Sequence, residues 1–281
     1  MTVNPLTLAY SPCPNDTFIF TPWVEGHIEN APAVVERLED IETLNRAALA
    51  GEPDVVKVSF HAYGHLRERY CLLRSGGALG RGCGPLVVAR HAFPPETLSQ
   101  KTIAIPGALT TAALLVRLFA PALRDTNVKI LPFHEILSAV RDGEVDAGVI
   151  IHESRFTYPR YGLTEVVDLG EWWERETAQA IPLGGIAMRR DLGPELIQRA
   201  ERALASSVDY AHAHPEKVWP TVRRHAQEME DDVMRQHIDL YVNEFTRDYG
   251  TEGQAAIQRL LETAERLGAV PKSDRPIFGD R

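Results

Sequence analysis

Apolar positions along the chain fall into two alternating rhythms. Short apolar runs bounded by proline, glycine or acidic residues read as buried strands: TLAY (7–10), DVVKVSF (54–60), KTIAIPG (101–107), VKILPF (128–133) and VDAGVII (145–151). Between them the spacing stretches to three and four. In IETLNRAALAG (41–51) the apolar residues are Ile41, Leu44, Ala47 and Ala48, and Gly51 stands where a helix C-cap belongs. TTAALLVRLFA (110–120) opens on Thr110 or Thr111 as an N-cap, and HEILSAVRDG (134–143) is a further helix. Strands alternating with helices predict βαβ units and a parallel sheet. From residue 192 the pattern is mostly helical, through GPELIQRAERALASSVDYAHAH (193–214), KVWPTVRRHAQEM (217–229), VMRQHIDLYVNEF (233–245) and EGQAAIQRLLETAERLG (252–268).

Two of these units repeat. IETLNRAALAGEPDVVKVSF (41–60) aligns without a gap on FHEILSAVRDGEVDAGVIIH (133–152), placing Gly51 on Gly143, Glu52 on Glu144 and Asp54 on Asp146. The strands before them also match, TLAYSP (7–12) over TIAIPG (102–107). GCGPLVVAR (82–90) and IPLGGIAMRR (181–190) share a Gly/Pro opening, an apolar run and a closing Arg, as two segments crossing between lobes would. The expected architecture is α/β with two lobes, residues 1–89 together with 186–281, and residues 90–185. Two such lobes joined by two crossing strands describe the type II periplasmic-binding-protein-like fold, with its ligand cleft between the lobes, at the carboxyl ends of the strands.

Polar residues just past strand ends therefore carry the functional reading. In SPCPNDTF, Pro12 and Pro14 stiffen the loop, and Asn15, Asp16 or Thr17 is the expected cap of the next helix; Ser11, Asn15 and Asp16 are candidates for the cleft rim. Cys13 is either a nucleophile or a small packing residue, and its own segment offers it no base. Lys57 interrupts an apolar strand and shares a face with Ser59, so it reaches a carboxylate, the cleft, or water from an edge strand. Thr110 and Thr111 open a helix whose first N–H groups either receive only a cap or hold an anion. His152 ends the VDAGVII strand, at the place of Phe60 in the first repeat, and is a structural histidine or a proton acceptor. His61 lies near the cleft, while His212, His214, His225 and His237 are expected at surface or packing positions.

Composition narrows the class. The 281 residues are 44% hydrophobic, enough for a sizeable core, and the formal net charge of −9 with scattered basic residues argues against nucleic acid or an anionic membrane as partner. No apolar run approaches a membrane span, and MTVNPLTLAY lacks the basic and apolar regions of a signal peptide. Cys13, Cys71 and Cys83 are dispersed with no CxxC, which speaks against a structural metal and for a reducing, cytoplasmic setting. No nucleotide or metal motif is present, so the partner expected is a small-molecule substrate; the oligomeric state is open.

SPCPNDTF (11–18), KVSFHAYG (57–64), GALTTAALL (107–115), EVDAGVIIHESRFTY (144–158) and IDLYVNEFTRDYGTEGQAAI (238–257) resemble the 1,4-dihydroxy-6-naphthoate synthases of the futalosine route to menaquinone, from about residue 7 to 265. The resemblance implies the two-lobed fold and a lyase that converts cyclic dehypoxanthinyl futalosine to 1,4-dihydroxy-6-naphthoate with no metal or organic cofactor. It also implies His152 as proton acceptor and substrate contacts at Lys57, Val58, Ser59, Thr110 and Thr111. The alternatives are chorismate dehydratase, of a sister family with a similar fold, and a non-catalytic binder of a small carboxylate.

Overall fold

The computed structural model describes residues 4–226 and 230–279. Among the described residues eleven strands form two sheets: β1 (Leu6–Tyr10), β2 (Val34–Leu38), β3 (Val55–Ser59), β4 (Tyr70–Leu72), β5 (Ala78–Gly80), β6 (Leu86–Ala89), β7 (Ile103–Ile105), β8 (Val128–Ile130), β9 (Ala147–Ile150), β10 (Thr164–Asp168) and β11 (Ile181–Arg189). The first sheet has the order β2-β1-β3-β11-β4, with β5 also on β11, and the second has β8-β7-β9-β6-β10. In each sheet the first three strands are parallel and the fourth is antiparallel to its neighbour. The two sheets are thus built to one plan, each receiving its antiparallel member from a crossing segment.

The repeat read from the sequence has a physical counterpart. Gly51 and Gly143 both end their helical segments in the left-handed region, at φ 78° and 79°. Three residues on, the Asp54 carboxylate accepts the Thr7 N–H at 2.9 Å, and the Asp146 carboxylate accepts the Thr102 N–H at 2.8 Å. Each aspartate so ties the turn before the third strand to the start of the first, and the parallel pairs Leu8↔Val55 and Ile103↔Ala147 follow.

Leu86–Ala89 pairs in the second sheet and Ile181–Arg189 in the first. By strand membership both crossings thus fall a few residues ahead of the 89/90 and 185/186 boundaries read from the sequence, because each segment pairs as soon as it enters the new sheet. Gly84 and Gly170 pass backbone to backbone beside the first crossing: a Cβ on Gly84 would lie 2.3 Å from the Gly170 Cα.

The first helix, Pro14–Val24, is buried from Pro14 to Trp23. It packs against Pro194–Ala213, Pro215–His225 and Asp231–Tyr241. Pro22 lacks an N–H, and the Ser207 hydroxyl braces the backbone beside it, donating to the Ile19 carbonyl at 2.6 Å and accepting the Trp23 N–H at 3.1 Å. Gln227–Met229, the end of the helical reading at 217–229, lie outside the described residues. Among the described residues no helix is long and apolar enough to cross a membrane.

Candidate active site

The carboxyl ends of β1, β3 and β9 converge on one buried polar cluster. β1 leads through Ser11 into the Pro14 helix, whose N-cap is Cys13 and not one of Asn15, Asp16 or Thr17; Pro14 takes the first helical position, two residues earlier than a cap at Asn15 would place it. Asn15 and Asp16 consequently sit in the first turn, buried at 4% and 2% exposure. Asp16 gathers three donors: Lys57 Nζ at 2.5 Å, Ser11 Oγ at 2.7 Å and Asn15 Nδ2 at 2.9 Å.

Lys57 lies on β3, between β1 and β11, so it is no edge-strand lysine. It finds the carboxylate partner, and Gly184 on β11 leaves room for its stem, since a Cβ there would come within 3.2 Å of Lys57 Cε and 3.0 Å of the Val58 carbonyl. Ser59 is held by Asn45, which accepts its N–H at 2.9 Å and donates to its hydroxyl at 3.2 Å. Val58 is fully buried in the core, where it pairs with Gly185 of β11.

Thr110 is the N-cap of Thr111–Phe119; its hydroxyl accepts the Ala113 N–H at 3.2 Å and donates to the Gly107 carbonyl at 2.9 Å. Thr111 donates to the Leu183 carbonyl at 2.6 Å. Both hydroxyl protons are therefore engaged, and so is the Ala113 N–H; what this helix start retains for an anion is the N–H groups of Thr111 and Ala112. His61 is 6% exposed, with Nδ1 3.3 Å from the Thr110 carbonyl, and burial pushes its pKa down to about 4. Glu42, from the first lobe, accepts the Leu109 N–H at 3.3 Å beside the same helix start.

His152 occupies the left-handed region at φ 60°, one of three non-glycine residues with positive φ among those described. Its N–H donates to the Tyr241 hydroxyl at 3.2 Å. Arg155, one turn later, fixes the segment by donating to the Gly84 carbonyl and to Asp168 at 3.0 Å. Around the imidazole stand Phe133, Tyr241 and His237, with ring centroids 5.7, 5.5 and 5.4 Å away, the last ring parallel to it. Nδ1 of His152 has no hydrogen-bond partner. Burial, opposed by nearby Asp16 and reinforced by Lys57, pushes its pKa down to about 4. At neutral pH this is an uncharged imidazole with a free polar atom, the form a proton acceptor needs.

His237, expected at a surface or packing position, is fully buried and belongs to the same cluster, its Nε2 2.9 Å from Asn15 Oδ1. It shares a helix face with Tyr241. The sequence did carry a trace of this, a histidine on the stripe Met234, Ile238 and Tyr241, all buried. Glu153 is the other addition: its Oε2 stands 3.7 Å from His237 Nδ1, and burial raises its pKa. Cys13 is a packing thiol, its pKa raised by burial and by the carboxylates of Glu153 and Asp16. Among the described residues no three His, Cys, Asp or Glu side chains form a metal-binding group.

Two α/β lobes of one plan, with a polar cluster where their strand ends meet, define the class of binding-protein-like folds. The periplasmic aliphatic sulphonate binding protein of Escherichia coli superposes with a TM-score of 0.64 over 99% of this chain and 91% of its own, at 12% identity, which speaks to the fold alone. A crystal structure of a protein from Archaeoglobus fulgidus reaches a TM-score of 0.89 at 34% identity, covering 96% of this chain and 100% of its own. The family model for menaquinone biosynthesis matches residues 6–266. Two relatives are named 1,4-dihydroxy-6-naphthoate synthase, one from Thermus thermophilus, 51% identical over 97% of this chain and 98% of its own, and one from Streptomyces coelicolor, 48% identical over 96% of each. The chain belongs to the menaquinone biosynthesis family and is an enzyme of it.

Proposed function

We propose that this enzyme converts cyclic dehypoxanthinyl futalosine to 1,4-dihydroxy-6-naphthoate, with His152 as the base. Family membership supports the substrate; the observation that carries the mechanism is His152 itself, neutral, held in a strained backbone conformation, with Nδ1 unpartnered at the meeting of the two lobes. In this reading the two lobes, divided at the crossings just ahead of Leu86 and Ile181, close on the ligand and exclude water. His152 takes a hydroxyl proton, a carbon–carbon bond of the fused carbocycle breaks in a retro-aldol sense, and aromatisation of the naphthoate drives the step. Ser59, the backbone at Val58 and the helix start at Thr110 and Thr111 hold the substrate, Ser11, Asn15 and Asp16 form the rim, and Lys57 supplies a positive field shaped by Asp16. In this reading the reaction runs in the cytoplasm.

The test is incubation of chelator-treated protein with cyclic dehypoxanthinyl futalosine, product being read by mass and ultraviolet absorption, beside His152→Ala. Product from the parent and a loss of at least about 10²-fold in kcat for the variant, as expected on removing a general base, support the reading. A folded parent that binds the compound and releases no product refutes it in favour of a binding protein. A folded variant with full turnover removes His152 from the mechanism.

A further inference from the structure

Three polar atoms of the cluster are buried without a hydrogen-bond partner: His152 Nδ1, His237 Nδ1 and Glu153 Oε2. The hydrogen-bond chain leading to them fixes where the protons are. The Lys57 ammonium has protons only to give, so Asp16 Oδ1 accepts from it, and the same oxygen accepts from Asn15 Nδ2. The orientation of the Asn15 amide follows from that contact, and its Oδ1 then faces His237 Nε2 at 2.9 Å. An amide oxygen can only accept, so Nε2 carries the hydrogen. Burial, with His152 and Lys57 close by, keeps His237 uncharged. Its Nδ1 is therefore a lone pair, and it looks toward Glu153 Oε2 at 3.7 Å.

A carboxylate opposite a lone pair leaves two buried acceptor atoms face to face, with the rest of the Glu153 side chain 28% exposed. A carboxylic acid there has a proton to share, directly after a small side-chain rotation or through one intervening hydroxyl. We propose that Glu153 is the proton donor of the reaction, and that His237 is the positioning residue that keeps a proton on it. The proposal rests on the lyase reading above and deepens it. His152 removes the hydroxyl proton, the pair of the breaking carbon–carbon bond passes to the enolate, and the Glu153 proton is delivered to the enolate carbon. One proton is taken and one given; the imidazolium and carboxylate left on adjacent residues return to the starting state by passing one proton between them or through solvent. Burial acts in the same direction, raising the pKa of Glu153. The titratable and charged groups around the pair are His152, Asp16, Lys57, Cys13, Tyr241 and Arg155.

Two measurements test this. The first does not need turnover: the difference infrared spectrum at neutral pH between the parent and Glu153→Gln shows the carbonyl stretch of a protonated carboxyl group if the assignment holds, and only carboxylate bands if it is wrong. The second is the pH profile of kcat. Glu153→Gln keeps the shape and can still donate to His237, yet has no proton to transfer; it loses at least about 10²-fold in kcat, with KM little changed, and the alkaline limb disappears from what remains. His237→Asn moves that limb to lower pH while leaving more activity on the acid side. A Glu153→Gln variant with parental kcat, or with an unaltered alkaline limb, overturns the proposal. A parent that shows the protonated carboxyl but makes no naphthoate refutes the lyase reading and leaves the proton assignment standing.

Discussion

Asp16→Asn isolates the buried charge pair on which the cluster is built. Asp16 and Lys57 are 2% and 5% exposed, 2.5 Å apart, and the substitution removes one charge while keeping the shape and two hydrogen-bonding ends. Lys57 is then a cation with no counterion, and water cannot reach it without opening the packing of β3 against β11. Breaking a buried pair in this way costs about 3–5 kcal/mol, most of it the unpaired charge. At about 2–4 °C per kcal/mol for a chain of this order of size, Tm falls by about 6–20 °C. Thermal unfolding is followed by far-ultraviolet circular dichroism and by tryptophan fluorescence together, because Trp23 reports on the first lobe and Trp173 on the second, and the lobes need not unfold in concert. The discriminating sample is Asp16→Asn/Lys57→Met, in which both charges are gone: most of the lost stability returns, since an apolar replacement of a whole buried pair is often neutral or better. The deficit of the single variant also persists in high salt, which screens exposed pairs and not this one. A single variant within about 1 °C of the parent, or a double variant no better than the single, refutes the account of an obligate buried pair.

Stability also depends on pH in a definite direction. His61 and His152 have folded-state pKa values pushed down to about 4 from 6.5, so between these values the unfolded chain binds more protons and stability rises with pH. Their contribution is complete above pH 6.5 and is lost as pH falls toward 4. For the nearly inaccessible His61 the full swing is about 3 kcal/mol, so denaturation midpoints measured from pH 7 down to pH 5 fall for the parent and fall less for His61→Gln; equal slopes contradict this. Gly84→Ala drives a Cβ to 2.3 Å from the Gly170 backbone and costs about 1–3 kcal/mol or more, whereas Gly82→Ala, with open space but φ of 65°, costs about 1 kcal/mol. Equal melting temperatures for the two variants argue against a backbone-to-backbone crossing.

What could be read from the chain followed the range of the interactions involved. The Gly51 and Gly143 caps, the Asp54 and Asp146 turns and the apolar runs of β1, β3, β7 and β9 are local, and the sequence pattern shows them directly. The second strand, Val34–Leu38, lies at a sheet edge and is half-exposed, so VVERL offers neither a continuous apolar run nor a clean alternation. β4 and β5 have three residues each, too short for a period to register. At the site, Lys57 was visible as an anomaly, but its choice between carboxylate and cleft is settled by Asp16, 41 residues away. His237 reaches Asn15 across 222 residues, and only the docking of Asp231–Tyr241 on the first helix makes that contact possible. Thr110 and Thr111 were legible as a cap, not as hydroxyls already engaged to Gly107 and Leu183.

The two halves share a frame and differ at its functional tips. Where the first repeat places Lys57, Ser59 and Phe60, the second has Val149, Ile151 and His152. The lysine is thus confined to the strand end of one sheet, and this histidine follows the strand end of the other. That separation has an electrostatic use. Burial, the largest influence, disfavours protonation of the imidazole; Asp16 favours it and Lys57 opposes it, so burial decides the outcome. A lysine in both halves would add a second cation opposing any proton on His152. A histidine in both would put a second imidazole at Phe60, which is fully buried in the apolar core. Divergence at the strand ends, on a frame held constant by Gly51, Gly143, Asp54 and Asp146, is what puts the buried ion pair on one lobe and His152 on the other.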